Sequence, residues 1–131
     1  MIFFHQKPSE KPPYLDRIEI LEYLEIVRMK GEITHDMIPI MEARIQANRK
    51  RQGGIRIEKN ILVDYALVTD VDSATIAFHL VHLKEYDARG RKVGFVNIPD
   101  ELQTLMEMLK EKTIFKIYDS ETDAVKELNK A

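Results

Sequence analysis

The stretch Val68-Thr69-Asp70-Val71-Asp72-Ser73-Ala74-Thr75 gathers two carboxylates and three hydroxyls where an apolar run ends and a helical pattern begins. Loops at the C-terminal ends of parallel strands are where α/β proteins place function. Ser73 is read as the N-cap of the following helix. A phosphate on its hydroxyl adds about -1.5 to -2 charge at the positive end of that helix, so the modified state is tolerated locally. Beside Asp70 and Asp72, the same charge repels an acidic partner surface and desolvates poorly in an interface. Phosphorylation of Ser73 is therefore expected to act as an off-switch for binding. The plainer reading leaves Ser73 as a cap and Asp72 as its flank.

Enzymatic readings of these residues are weaker. Asp70-Val71-Asp72 is similar to the nucleophile loop of haloacid-dehalogenase-type phosphatases. That pattern places a Thr two residues after the second Asp, whereas Thr75 stands three after Asp72. Asp64, Asp70 and Asp72 could hold Mg²⁺ as strand-end acids do, but the order of a response-regulator receiver is not matched. His79 and His82 stand i, i+3 on one helix without an intervening Glu or an evident third ligand, so no metal site is assigned. His5 and His35 are isolated. There is no Gly-rich phosphate loop, no G-x-S-x-G elbow and no carboxylate–His pairing that reads as acid–base machinery. The chain is read as a non-enzyme without cofactor.

The elements that must position this loop follow from periodicity. Ile18 and Ile20 alternate with charges, and Glu22-Tyr23 is read as a tight turn. Leu24, Ile26, Val27 and Met29 then form a second strand ending at Gly31. Asp36, preferred over Thr34, is read as the cap of a helix with Pro39 in its first turn and Ile38, Met41 and Ile45 on one stripe. Arg49, Lys50 and Arg51 suit its C-terminal dipole, and Gly53-Gly54 stops it. Ile61-Leu62-Val63 before Asp64 reads as a strand buried on both faces. A loop leads to Ser73, and a helix runs from about Thr75 to Ala88 with Ile76, Leu80 and Leu83 inward and Gly90 closing it. Val93, Phe95 and Val96 form a strand. Pro99, Asp100 and Glu101 open a helix with Leu102, Leu105, Met106 and Leu109 at i, i+3, i+4 and i+7. Ile114, Phe115, Ile117 and Tyr118 form the last strand. Ser120 and Asp123 cap a final helix whose inner face is Ala124, Val125 and Leu128.

The order β-β-α-β-α-β-α-β-α predicts an α/β domain: a mostly parallel mixed sheet of about five strands, an N-terminal hairpin edge and about four helices. At 131 residues the chain suits one domain, read as 14–131, after a tail, 1–13, broken by Pro8, Pro12 and Pro13. Phe3 and Phe4 in that tail are candidates to dock on the domain or on a second subunit. With no Cys, disulfides and thiolate sites are excluded. A net charge of -2 disfavours a general nucleic-acid binder. No apolar run approaches the ~20 residues of a membrane span, and no signal peptide is read at the start, which points to the cytoplasm or a cytoplasmic membrane face. Arg49, Lys50, Arg51, Arg56, Glu58 and Lys59 form a basic segment, and residues 100–131 hold eight acids against five bases. This separation could orient a partner without identifying one.

Across residues 17 to 129 the chain resembles a STAS domain (sulfate transporter and anti-sigma-factor antagonist). The resemblance rests on "VRMKGEI", "NILVDYALVTDVDSAT", "ARGRKVGFVNI" and "FKIYDSETDAV" in that order. It implies a small α/β domain that binds proteins and is not a catalyst. In anti-sigma-factor antagonists the Ser after the Asp is phosphorylated by the anti-sigma kinase, which maps to Ser73 after Asp72, with Thr75 as second choice. The implied partner surface is Asp70, Asp72, Ser73, Ala74 and Thr75, facing an anti-sigma factor or serine kinase. The family's Asp-Ser-Ser-Gly reads Asp72-Ser73-Ala74-Thr75 here, so Thr75 adds bulk where the Gly would allow close approach. The loop also resembles that of sulfate-permease-type domains, and stand-alone domains of the family accompany lipid-transport ATPases, which implies the alternative of a regulatory subunit for a separate transporter chain of either kind. Weak nucleotide binding is a further implication of the resemblance, and the Phe3-Phe4 tail leaves a homodimer open.

Overall fold

Strict alternation along the apolar runs sends successive side chains to opposite faces of a sheet, so a strand such as Ile61-Leu62-Val63 needs cover on both sides. The chain supplies it. The structure, a computed structural model, describes residues 12–52, 57–109 and 115–131, with backbone alone at positions 45, 48–52 and 109. Strands β1 (Leu15–Ile20), β2 (Leu24–Ile33), β3 (Asn60–Val71), β4 (Val93–Val96) and β5 (Phe115–Tyr118) form one sheet in the order β1-β2-β3-β4-β5. The β1–β2 hairpin is antiparallel and every other pairing is parallel.

One face buries Val27, Met29, Ile61, Val63, Val93 and Phe95. Met41 of α1 (Ile38–Gln52), Ile76, Leu80 and Leu83 of α2 (Ser73–Ala88), and Leu102 and Met106 of α3 (Asp100–Leu109) pack on it. The opposite face buries Leu24, Ile26, Leu62 and Val96 under Ala124 and Leu128 of α4 (Glu121–Leu128). The expected mixed sheet, hairpin edge and four helices are all present. Ser120 caps α4, its hydroxyl accepting from the Asp123 N–H at 3.1 Å. Gly90 follows α2 with φ +71°, the left-handed geometry glycine adopts without strain.

Three local expectations change. First, β3 does not stop near Asp64. Its pairing with β4 ends at Asp64↔Val96, but it continues against β2 alone through Lys30↔Leu67, Gly31↔Val68, Glu32↔Asp70 and Ile33↔Val71. The segment read as a loop is a two-stranded arm. Two register shifts, and Gly31 at φ +74°, break the period-two pattern that reveals strands in a sequence. Second, Asp36 is not the cap of α1. A 3₁₀ turn over His35–Met37 precedes that helix, with Thr34 at its N-cap position and the Met37 N–H bonded to the Thr34 carbonyl at 2.9 Å. Pro39 does fall in the first turn of α1. Third, α2 begins at Ser73 rather than near Thr75. The tail through Lys11, Gly53-Gly54, Arg56 and Ile114, and the side chains of Ile45, Arg49, Lys50 and Arg51, lie outside the described residues.

Candidate functional site

The β2–β3 arm delivers the chain from the sheet to the head of α2. There Asp72, extended at φ -108° and ψ 168°, is the N-cap. Its Oδ1 accepts hydrogen bonds from the Thr75 N–H at 2.9 Å and the Thr75 hydroxyl at 2.7 Å. Ser73, expected to cap, is instead the first helical residue. A helix that starts at Ser73 places the carboxylate one position earlier, where it reaches the N3 amide. Relieved of capping, the Ser73 side chain is exposed, and no hydrogen bond holds it among the described residues.

The neighbouring candidates divide by exposure. Ala74 is exposed, and so is Asp70, which lies opposite Glu32 in the arm. Thr75 is fully buried, with its hydroxyl donated to Asp72. Asp72, Ser73, Ala74 and Asp70 thus share one end of the molecule, while Thr75 serves it from beneath.

The other oxygen of Asp72 is also occupied. Oδ2 accepts from the His35 main-chain N–H at 2.8 Å and lies 3.1 Å from the ring Nδ1. Partial burial works against ionisation of Asp72. The Thr75 hydroxyl and amide and both His35 groups outweigh it, holding the carboxyl well below the usual carboxylate range. The His35 imidazole is shifted the other way, its pKa raised by the bond to Asp72 and then by the Asp36 carboxylate. Sequence spacing offered no signal for His35, which stands 37 residues from Asp72.

The remaining chemistry-bearing residues go elsewhere. Asp64 turns to Arg28 and Asn97 rather than to Asp70 and Asp72, at 2.7 and 2.8 Å. His79 is buried with Nδ1 at 2.8 Å from the Tyr65 hydroxyl, and burial depresses its pKa to about 3. His82 instead faces Glu42 of α1 at 3.3 Å and stacks near Phe78. No group of three or more metal-ligating side chains occurs among the described residues. Lys59 donates to the Leu21 and Glu22 carbonyls, tying its loop to the hairpin. A polar cavity of about 190 Å³ opens at the other end of β3 and β4, lined by Asn60, Arg91, Lys92 and Lys130 among others. No described helix is long and apolar enough to cross a membrane.

Removing the cap carries a measurable cost. Asp72→Ala deletes the bonds to Thr75 and His35 together and is expected to lower stability by about 1–2 kcal/mol, the range for lost N-caps. Asp72→Asn, which keeps an acceptor, should lose less. Thermal unfolding of both variants checks the order.

Comparison with known proteins adds to this geometry. The family model described as STAS domain matches residues 17–124. No curated protein matches the sequence. Among solved structures, a Thermotoga maritima protein assigned as an anti-sigma factor antagonist superposes with TM-score 0.67 at 17% identity, covering 87% of this chain and 94% of that one. The unphosphorylated anti-sigma factor antagonist SpoIIAA gives 0.59 at 16% identity over 88% and 98%. The phosphorylated form of the Bacillus cell fate determinant SpoIIAA gives 0.58 at 16% identity over 85% and 96%. At such identities the likeness is one of fold.

Proposed function

Because the chain belongs to the STAS domain family, we propose that it is a protein-interaction module, antagonist-like, whose contact surface centres on Ser73 and is switched off by phosphorylation there. The observation that carries this reading is the exposed Ser73 side chain at the first turn of α2, with its helix already capped by Asp72. Such a hydroxyl is reachable by a kinase and by a binding protein alike. Phosphate at this position meets the positive end of a helix, so the fold tolerates it. The added charge stands beside Asp72 and near Asp70, and it changes the surface a partner meets. Thr75, the alternative hydroxyl, is sealed and committed to Asp72. That SpoIIAA, a protein of the same fold, has been solved with and without phosphate agrees with this reading. The partner is taken to be an anti-sigma factor that is itself a serine kinase.

Affinity purification with wild type, Ser73→Ala and Ser73→Asp, alongside Phos-tag gels with cognate kinases, tests it. Wild type and Ser73→Ala should capture the same kinase-type partner, and only wild type should take up phosphate. Ser73→Asp should bind at least about tenfold more weakly, which corresponds to about 1.4 kcal/mol. Equal capture by Ser73→Asp removes the switch. Recovery of a membrane transporter in place of a kinase favours the transporter-subunit alternative.

A further inference from the structure

We infer that His35 is a positioning residue for the Ser73 segment: the turn between β2 and α1 clamps Asp72 through it, and protonating the imidazole tightens the clamp. Asp72 does two jobs with two oxygens. Oδ1 caps α2 through Thr75, and Oδ2 is held by His35 from a turn 37 residues earlier in the chain. A carboxylate gripped from both sides keeps one orientation, and with it the backbone that presents Ser73.

The hold from His35 has two parts. The main-chain N–H at 2.8 Å is indifferent to pH, whereas the ring Nδ1 at 3.1 Å becomes a charged donor only when the imidazole is protonated. Two carboxylates face the ring, Asp72 from the head of α2 and Asp36 from its own turn, at 3.3 Å from Nε2. Both favour the cation, and the raised pKa of His35 agrees. The sign follows. The ionic part of the clamp is complete below the ordinary imidazole pKa and is lost as pH rises through the elevated value. The main-chain bond survives, so the domain stays folded while the grip on Asp72 slackens. The bearing of this on binding rests on the reading of Ser73 as the contact centre; the clamp itself does not.

The test uses the whole chain without any partner, so a failure of the phosphorylation reading leaves its outcome untouched. The His35 ring and the amides of Ser73, Ala74 and Thr75 are followed by NMR from about pH 5 to about pH 9, a range that spans imidazole titration. The amides should move with the ring and share its midpoint, above the ordinary value. His35→Gln should abolish that step in a folded spectrum, since its main-chain N–H remains, while His82→Gln should leave it in place. Asp72→Asn should return the His35 midpoint toward normal. Amides that stay flat through the His35 titration, or a step that persists in His35→Gln, overturn the inference.

Discussion

Arg28→Ala should destabilise the domain by about 3 kcal/mol, the low end for removing one partner from a buried ion pair, because Asp64 is buried while Glu19 and Glu121 are partly exposed. Arg28 lies on β2 and reaches three other elements. Its Nη1 donates to Asp64 of β3 at 2.7 Å and to Glu121 at the start of α4 at 2.6 Å. Nη2 donates to Glu19 of β1 and to Glu121, both at 3.0 Å. Alanine leaves three carboxylates facing one another, of which Asp64 has only 6% of its side chain exposed. The Asn97 amide and the Ala66 N–H, also bonded to Asp64, supply no charge in compensation. With a urea dependence of about 1–3 kcal/mol per molar, the unfolding midpoint should fall by about 2 M at neutral pH.

The pH dependence gives a second readout. Hydrogen bonds from Arg28 and then Arg17 lower the Glu19 pKa to about 2, more than burial raises it. A depressed carboxyl contributes stability above its ordinary value near 4.5, and this is lost as pH falls toward about 2. Without Arg28 that loss should flatten, because the orphaned acids relieve their repulsion by taking up protons. The gap between wild type and Arg28→Ala therefore narrows on acidification. Glu19 is a third exposed, so Glu19→Gln should cost less than about 1 kcal/mol.

Gly94→Val should cost about 3 kcal/mol, the upper end for overpacking a filled core. Gly94 sits inside β4 on the face covered by α4. A Cβ there lies 2.7 Å from Leu128 Cδ1 and 2.8 Å from Tyr118 Cε2. The leucine methyl is the far end of a flexible side chain, whereas the buried tyrosine ring meets the new group with two of its carbons and has to shift as a unit. Gly94→Ala should cost less than Gly94→Val. In the Gly94→Ala background, Leu128→Ala should lose less stability than it does in wild type, because the new methyl fills part of the cavity. Chemical denaturation of the double-mutant cycle reads this coupling. Strictly additive costs would mean that the two side chains do not compete.

The order of elements was legible because each carries a local pattern, a one-sided apolar stripe in α3 and α4 and an unbroken apolar run in β3 and β4. Leu102 and Met106 announce a helix with one buried stripe, and Ile61-Leu62-Val63 announces a strand covered twice. The arm beyond Asp64 was not legible. Its exposed Ala66, Leu67, Thr69 and Asp70 read as a loop, and only pairing with the far half of β2 makes them strand. Gly94 carries no signal among its buried neighbours, since a missing side chain gives no sign of what would collide with it.

At the candidate site, the run from Asp70 to Thr75 stood out in one dimension because its residues are adjacent. Its division of labour did not. Which of Asp72 and Ser73 caps α2 depends on a one-residue difference in where the helix starts, and both residue types are good caps. His35 and Arg28 carry no sign of a role as single residues. Each acquires its role from a carboxylate 37 or 36 positions away that folding brings within hydrogen-bonding distance. Periodicity and neighbouring residue types are properties of short stretches, so a linear reading recovers the order of strands and helices and the polar run at the head of α2. Charge pairing and close contact depend on distance through space, and the assembled sheet alone sets which acid meets which base and which glycine has no room to grow.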